Sequence, residues 1–225
     1  VAIVAKIPVP GLRELKKQRT RATLIDVAVA LFIDQGYDNT TVEQIATTAE
    51  VAPRTFSRYF SGKDAVIIAI LEGVAGDVAA VFARQPLDIS PYEALARAHL
   101  ETFGSEQYST STSFEQMQLL LRILNSAPAL GLAPFMFRAG GFHHQAAEVA
   151  AQRMGVASDH PSIRILFDTW AVVMGVACHG LGTAGGPPIE PDVVCHRIES
   201  VYALFNELRA PQATPGQTPA GVAAE

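Results

Sequence analysis

Between residues 20 and 60 the chain is divided into three short helical stretches by Gly36 and by the turn before Pro53, and no other feature limits the fold as much. In residues 20 to 35, Ile25, Ala28, Leu31 and Phe32 recur at helical spacing, and Gly36 supplies a stop. The run "NTTVEQIATTAEV" opens with side chains suited to an N-cap, and Val42, Ile45, Ala46 and Ala49 then fall on one helical face. After a turn at residues 50 to 52, Pro53 stands where a first helical residue is expected, and "PRTFSRYF" runs to the break at Ser61 and Gly62. Two short helices joined by a turn of this length match the helix-turn-helix unit.

Beyond Lys63 the pattern changes to longer helices rich in Ala, Leu and Val, expected over residues 64 to 84, 91 to 108, 113 to 126, 134 to 154, 159 to 182 and 191 to 209. No alternating strand pattern of useful length occurs, so the chain reads as all-α. Two cysteines, Cys178 and Cys195, form no C-x-x-C pair, which points to reduced thiols in a cytoplasm rather than a disulfide framework. The opening "VAIVAKIPVP" has its basic cluster after the apolar run, the reverse of a secretory signal. The longest strongly apolar window is taken as residues 170 to 178, too short for a membrane span of roughly 20 residues, so no membrane partner is expected.

Charge is divided unevenly. The net charge is −5, yet residues 1 to 63 carry nine Lys or Arg against six acids. A basic front on an acidic body predicts a small module that meets a polyanion. In the stretch "VAPRTFSRYFSGKDA", Phe56 and Phe60 lie one turn apart and point together, while Arg54 and Arg58 point away from them. One face is core and the other cationic, as a helix entering the major groove of double-stranded DNA requires. Pro53, Arg54, Thr55, Ser57, Arg58 and Tyr59 are the candidate groove contacts. Thr40 and Thr41 would offer hydroxyls and amides to a phosphate, and Lys63 a point charge to another. Arg19 and Arg21 close the basic run "RELKKQRTR".

The stretch from Arg19 to Ile68 resembles the N-terminal DNA-binding region of the tetracycline-repressor (TetR) family. The resemblance is carried by Leu31-Phe32, Gly36-Tyr37, "TTV" at 40 to 42, Ile45-Ala46, "VAPRTFSRYF" and the "GKD" that follows. It implies a homodimeric transcriptional regulator, usually a repressor, whose C-terminal helices bind a small molecule and form the dimer interface. The chain departs from the family pattern at three positions. Glu50 stands where Gly is frequent, at a cost on the order of 1 kcal/mol if that position needs a positive φ. Ala52 replaces the usual Ser cap, and Ser57 an aromatic residue.

The expected organisation is a flexible basic arm at residues 1–18, a helix-turn-helix domain at 19–65, a ligand-binding and dimerisation body at 66–209 and a disordered tail at 210–225. In the body, Phe103, Phe114, Met117, Leu121, Phe137, Trp170 and Met174 are candidates for lining a cavity. Few ionisable groups accompany them, which favours an apolar effector over a charged one. The stripe of Val194, Ile198, Val201 and Phe205 is either internal core or, as the resemblance implies, half of an intersubunit four-helix bundle; the second is preferred. His143 and His144 point about 100° apart on a helix, so no metal site is expected. No nucleophile elbow, zincin, Walker or dinucleotide motif occurs, so neither an enzyme nor a cofactor is expected. The expected function is repression from a palindromic operator, its half-sites roughly 34 Å apart, relieved by an apolar small molecule. The alternative is a DNA-binding regulator with no effector.

Overall fold

A computed structural model describes residues 11–126 and 144–210. The described residues form α-helices and no strand: α1 (Leu12–Asp34), α2 (Val42–Thr48), α3 (Pro53–Tyr59), α4 (Lys63–Phe82), α5 (Pro91–Phe103), α6 (Glu106–Ser109), α7 (Thr112–Ser126), α8 (His144–Met154), α9 (Pro161–Cys178) and α10 (Pro191–Arg209).

Two apolar cores organise them. The first gathers Leu24, Ala28 and Phe32 of α1, Ile45 and Ala46 of α2, Phe56 of α3, Phe60 and the first half of α4 through Val66, Ile67 and Ile70. The second takes the other half of α4 together with α5, α7, α8, α9 and α10. Two helices serve both cores. In α4 the division falls between Ile70 and Val74, so the boundary expected at residue 65 falls within the first turn of a continuous element. In α7, Leu120, Ile123 and Leu124 join the first core while Met117 and Leu121 join the second.

Several expectations are corrected. The arm placed at residues 1–18 is helical from Leu12 onward, because "RELKKQRTR" consists largely of good helix formers and Glu14 pairs with Lys17 one turn on, at 3.8 Å. Residues 1–10 and the tail from 211 lie outside the described residues. The helix expected over 91 to 108 breaks at Gly104, where the Ser105 hydroxyl accepts the Tyr108 amide (3.2 Å) and starts a new turn. Helix α4 is long and apolar enough to cross a membrane by length and composition, which the window at 170 to 178 overlooked; half of it is buried between the two cores. The second such helix, α9, is likewise half buried.

The stripe on α10 is also reassigned. Val194 and Ile198 are fully buried in the chain's own second core, and Val201 and Phe205 pack partly against it. On α9 and α10 the large apolar side chains left exposed are instead Ile165, Val172, Val176, Leu204 and Leu208.

Candidate nucleic-acid interface and ligand cavity

Helix α3 owes its start to Pro53 at the first helical position, since Ala52 supplies no side-chain cap. Phe56, 1% exposed, and Phe60, 4% exposed, anchor it with ring centroids 5.6 Å apart. Truncating a buried phenylalanine costs about 3–5 kcal/mol, so this pair fixes the rotation of the helix firmly. Arg54, Ser57 and Arg58 consequently face solvent, flanked by the partly buried Thr55 and Tyr59. The Arg58 guanidinium lies 5.3 Å from the Tyr59 ring centre, and Ser57 Oγ donates to the Pro53 carbonyl at 3.3 Å. Arg19 is exposed on α1, and Arg21 covers the Phe60 ring at 5.4 Å. The turn before α3 places Glu50 at φ 55°, in the left-handed region, a non-glycine positive φ found at no other described residue. The conditional cost raised for that position therefore applies.

Three candidate phosphate contacts are placed differently from their expected roles. Thr40 is 1% exposed, and its hydroxyl donates to the Gly36 carbonyl at 2.8 Å. Thr41 caps α2 in a reciprocal box: its hydroxyl accepts the Gln44 amide at 3.2 Å and its own amide donates to the Gln44 side chain at 2.8 Å. One of the amides expected to meet a phosphate is thus already occupied. Lys63 turns its ammonium inward, donating to the carbonyls of Tyr37 (2.7 Å), Thr40 (3.1 Å) and Asp38 (3.4 Å) and resting 4.2 Å from the Tyr37 ring centre. Tyr37 in turn donates its hydroxyl to the Asp64 carboxylate. The start of α4 is in this way tied to the loop between α1 and α2.

Between α4, α5, α7, α8 and α9 lies a cavity of about 110 Å³. Of the candidate residues, Phe103, Met117, Leu121, Trp170 and Met174 line it. Phe114 does not; it packs edge-on against Tyr108 instead. Phe137 lies outside the described residues. The sequence reading missed the α4 wall of Leu71, Val74, Val78 and Phe82. A signal existed, since "KDAVIIAILEGVAGDVAAVF" is apolar on more than one side, as a helix serving two cores must be.

Among the other lining residues that the sequence reading did not name are His99 and Cys178. The His99 ring is half-buried and lines the cavity, and burial pushes its pKa down to about 4 against a smaller opposing pull from the Leu95 carbonyl. It is neutral at pH 7. Burial also pushes the Cys178 thiol up to about 12, with Arg197 acting weakly the other way, so it is a poor nucleophile.

The family model described as bacterial regulatory proteins, tetR family, matches residues 24–70, the segment that builds α2, α3 and most of the first core. The HTH-type transcriptional regulator TcmR of Streptomyces glaucescens is 34% identical over 152 residues, spanning 67% of this chain and 67% of that protein. The chain belongs to the TetR family. The HTH-type transcriptional repressor NicS of Pseudomonas putida is 31% identical over 86 residues, 38% of this chain and 41% of its own length. Among solved structures, a TetR-family transcriptional regulator of Syntrophomonas wolfei superposes with a TM-score of 0.54 at 20% identity, covering 89% of this chain and 100% of that one. The TetR fold, with a DNA-binding helix-turn-helix at the N-terminus and a helical C-terminal domain, accounts for the two cores. This TetR-family chain is a DNA-binding transcriptional regulator.

Proposed function

We propose that the protein is a repressor that sits on a palindromic operator as a homodimer and is released by an apolar small molecule bound in the body. It works in the cytoplasm, beside the chromosome. The observation that carries this reading is the course of α4, whose first turn is clasped by the α1–α2 loop through Lys63 and whose later turns wall the cavity through Leu71, Val74, Val78 and Phe82. A ligand that favours a different position of α4 moves α3 with it, because the first core and the Lys63 clasp travel as one body. Its leverage equals its difference in affinity for the two positions.

In this reading Arg54 and Arg58 contact bases, Pro53, Thr55, Ser57 and Tyr59 fit the groove, and Arg19 and Arg21 meet backbone phosphates. The exposed Ile165, Val172, Val176, Leu204 and Leu208 supply the dimer surface, since scattered large apolar groups on two neighbouring helices gain most by burial against a second copy. The named repressor among the relatives supports the direction of control. Operators recovered by genome-wide mapping of bound sites, followed by anisotropy titration with apolar compounds, test the whole scheme. If every compound that binds the body leaves operator affinity unchanged, the regulator without an effector is the correct description. If a Val172→Glu variant remains dimeric at low micromolar concentration, the dimer surface is wrong.

A further inference from the structure

This inference rests on the reading that α3 lies against duplex DNA, and concerns a second element that meets the same duplex. Every residue from Gly11 to Arg19 is exposed, so the opening turns of α1 have no buried face, and the first residue of α1 within the first core is Leu24. Packing does not account for this stretch. Between Leu12 and Arg21 it holds Arg13, Lys16, Lys17, Arg19 and Arg21 against a single acid, Glu14.

Taken alone, that arrangement is unfavourable. Cations at the start of a helix oppose its dipole, and like charges one turn apart, as in Arg13, Lys17 and Arg21, repel. The pair of Glu14 and Lys17, 3.8 Å apart with both side chains half exposed or more, offsets little of this. A polyanion lying along the helix reverses both effects.

The position of the row points to which polyanion. Residues four apart advance by only about 40° around a helix, so the ridge that lies in the first core as Ile25 and Val29 leaves it as Arg21, Lys17 and Arg13. Lys16 borders Arg13, about 60° around the helix. Arg21 lies 5.4 Å from the centre of the Phe60 ring, and Phe60 is the C-cap of α3. The cationic row therefore starts beside the end of α3 and runs on for about 12 Å at 1.5 Å per residue. A duplex carries one negative charge for about every 1.7 Å of its axis, so several phosphates fall within that length.

We propose that the opening turns of α1 form a basic spur that grips backbone phosphates flanking the half-site under α3, with Arg13, Lys16 and Lys17 adding affinity without reading sequence.

Fluorescence anisotropy of the full chain on a random-sequence duplex, repeated across salt concentrations, tests this. Glutamine keeps helix propensity and removes charge, so the variant is Arg13→Gln/Lys16→Gln/Lys17→Gln. Loss of these contacts should make the logarithmic salt slope shallower by about 2 to 3. The control Arg84→Gln/Arg97→Gln removes two exposed charges from the body and should leave the slope as it is. A change below about 0.9, less than one phosphate, or an equal change per charge in the control, overturns the proposal alone. On a mapped operator, base pairs added beyond the half-sites should tighten binding by the unaltered protein on the order of tenfold at 0.15 M salt and barely affect the spur variant. Equal gains for both would place the contacts elsewhere and refute the spur. If the unaltered protein binds neither random nor operator duplex, the regulator reading falls and the proposal falls with it.

Discussion

Replacing Lys63 by methionine keeps an apolar stem of similar length and removes the ammonium. That ammonium donates to three loop carbonyls at 2.7, 3.1 and 3.4 Å and rests on the Tyr37 ring. A hydrogen bond to a charged donor contributes about 1.5–3 kcal/mol. Only one full equivalent is counted, because the longest contact is weak and the abandoned carbonyls regain some water. The ring contact adds about 0.5–1 kcal/mol, giving a loss of about 2–4 kcal/mol. Urea unfolding at fixed protein concentration measures it, with a lower midpoint and an unchanged slope as the expected signature. The same variant should leave the salt dependence of binding to random duplex unchanged. Were Lys63 a phosphate contact, the logarithmic slope would fall by about 0.9. A stability change below about 0.5 kcal/mol together with that reduced slope would refute the clasp.

Three other outcomes are expected. Glu50→Gly relieves a left-handed backbone worth about 1–2 kcal/mol and loosens the unfolded chain by about 0.5–1 kcal/mol, so the protein should gain about 0.5–1 kcal/mol; a lower midpoint in thermal or urea unfolding would contradict this. Arg54→Ala should weaken operator binding by about 1–3 kcal/mol and random-duplex binding by less, and equal losses on the two duplexes would exclude base reading. His99, with an ordinary value of 6.5 and a folded value of about 4, stays neutral in the fold while the unfolded chain takes up a proton. Its contribution is therefore present above pH 6.5 and lost as pH falls toward 4, by at most about 3 kcal/mol at roughly 1.4 kcal/mol per pH unit. Unfolding curves across that range should show a shallower pH dependence for His99→Leu than for the unaltered chain, and identical curves would count against a buried neutral imidazole.

Local patterns were enough to read the helix-turn-helix. The spacing of Phe56 and Phe60 settles which side of α3 is buried, and with it the exposure of Arg54 and Arg58, because residues one turn apart share a face whatever surrounds them. The Gly36 stop, at φ 87°, and the Pro53 start are equally local. Thr40 and Lys63 escaped this logic. A polar side chain near a cationic face reads as a ligand for phosphate, but its nearest acceptors proved to be carbonyls of the loop 36 to 40, brought beside α4 only when the first core closes.

In the body, aromatic density located part of the cavity wall, yet it could not separate Trp170, which lines the space, from Phe114, which packs against Tyr108. The α10 stripe shows the same limit: Val194 and Ile198 repeat as an interface would, and they are internal. Sequence periodicity records that a face is buried, because transfer of apolar surface from water has no direction. What covers that face, and which way His99 turns its lone pair, depends on contacts between residues as far apart in the chain as His99 and Trp170, and only the packed helices decide them.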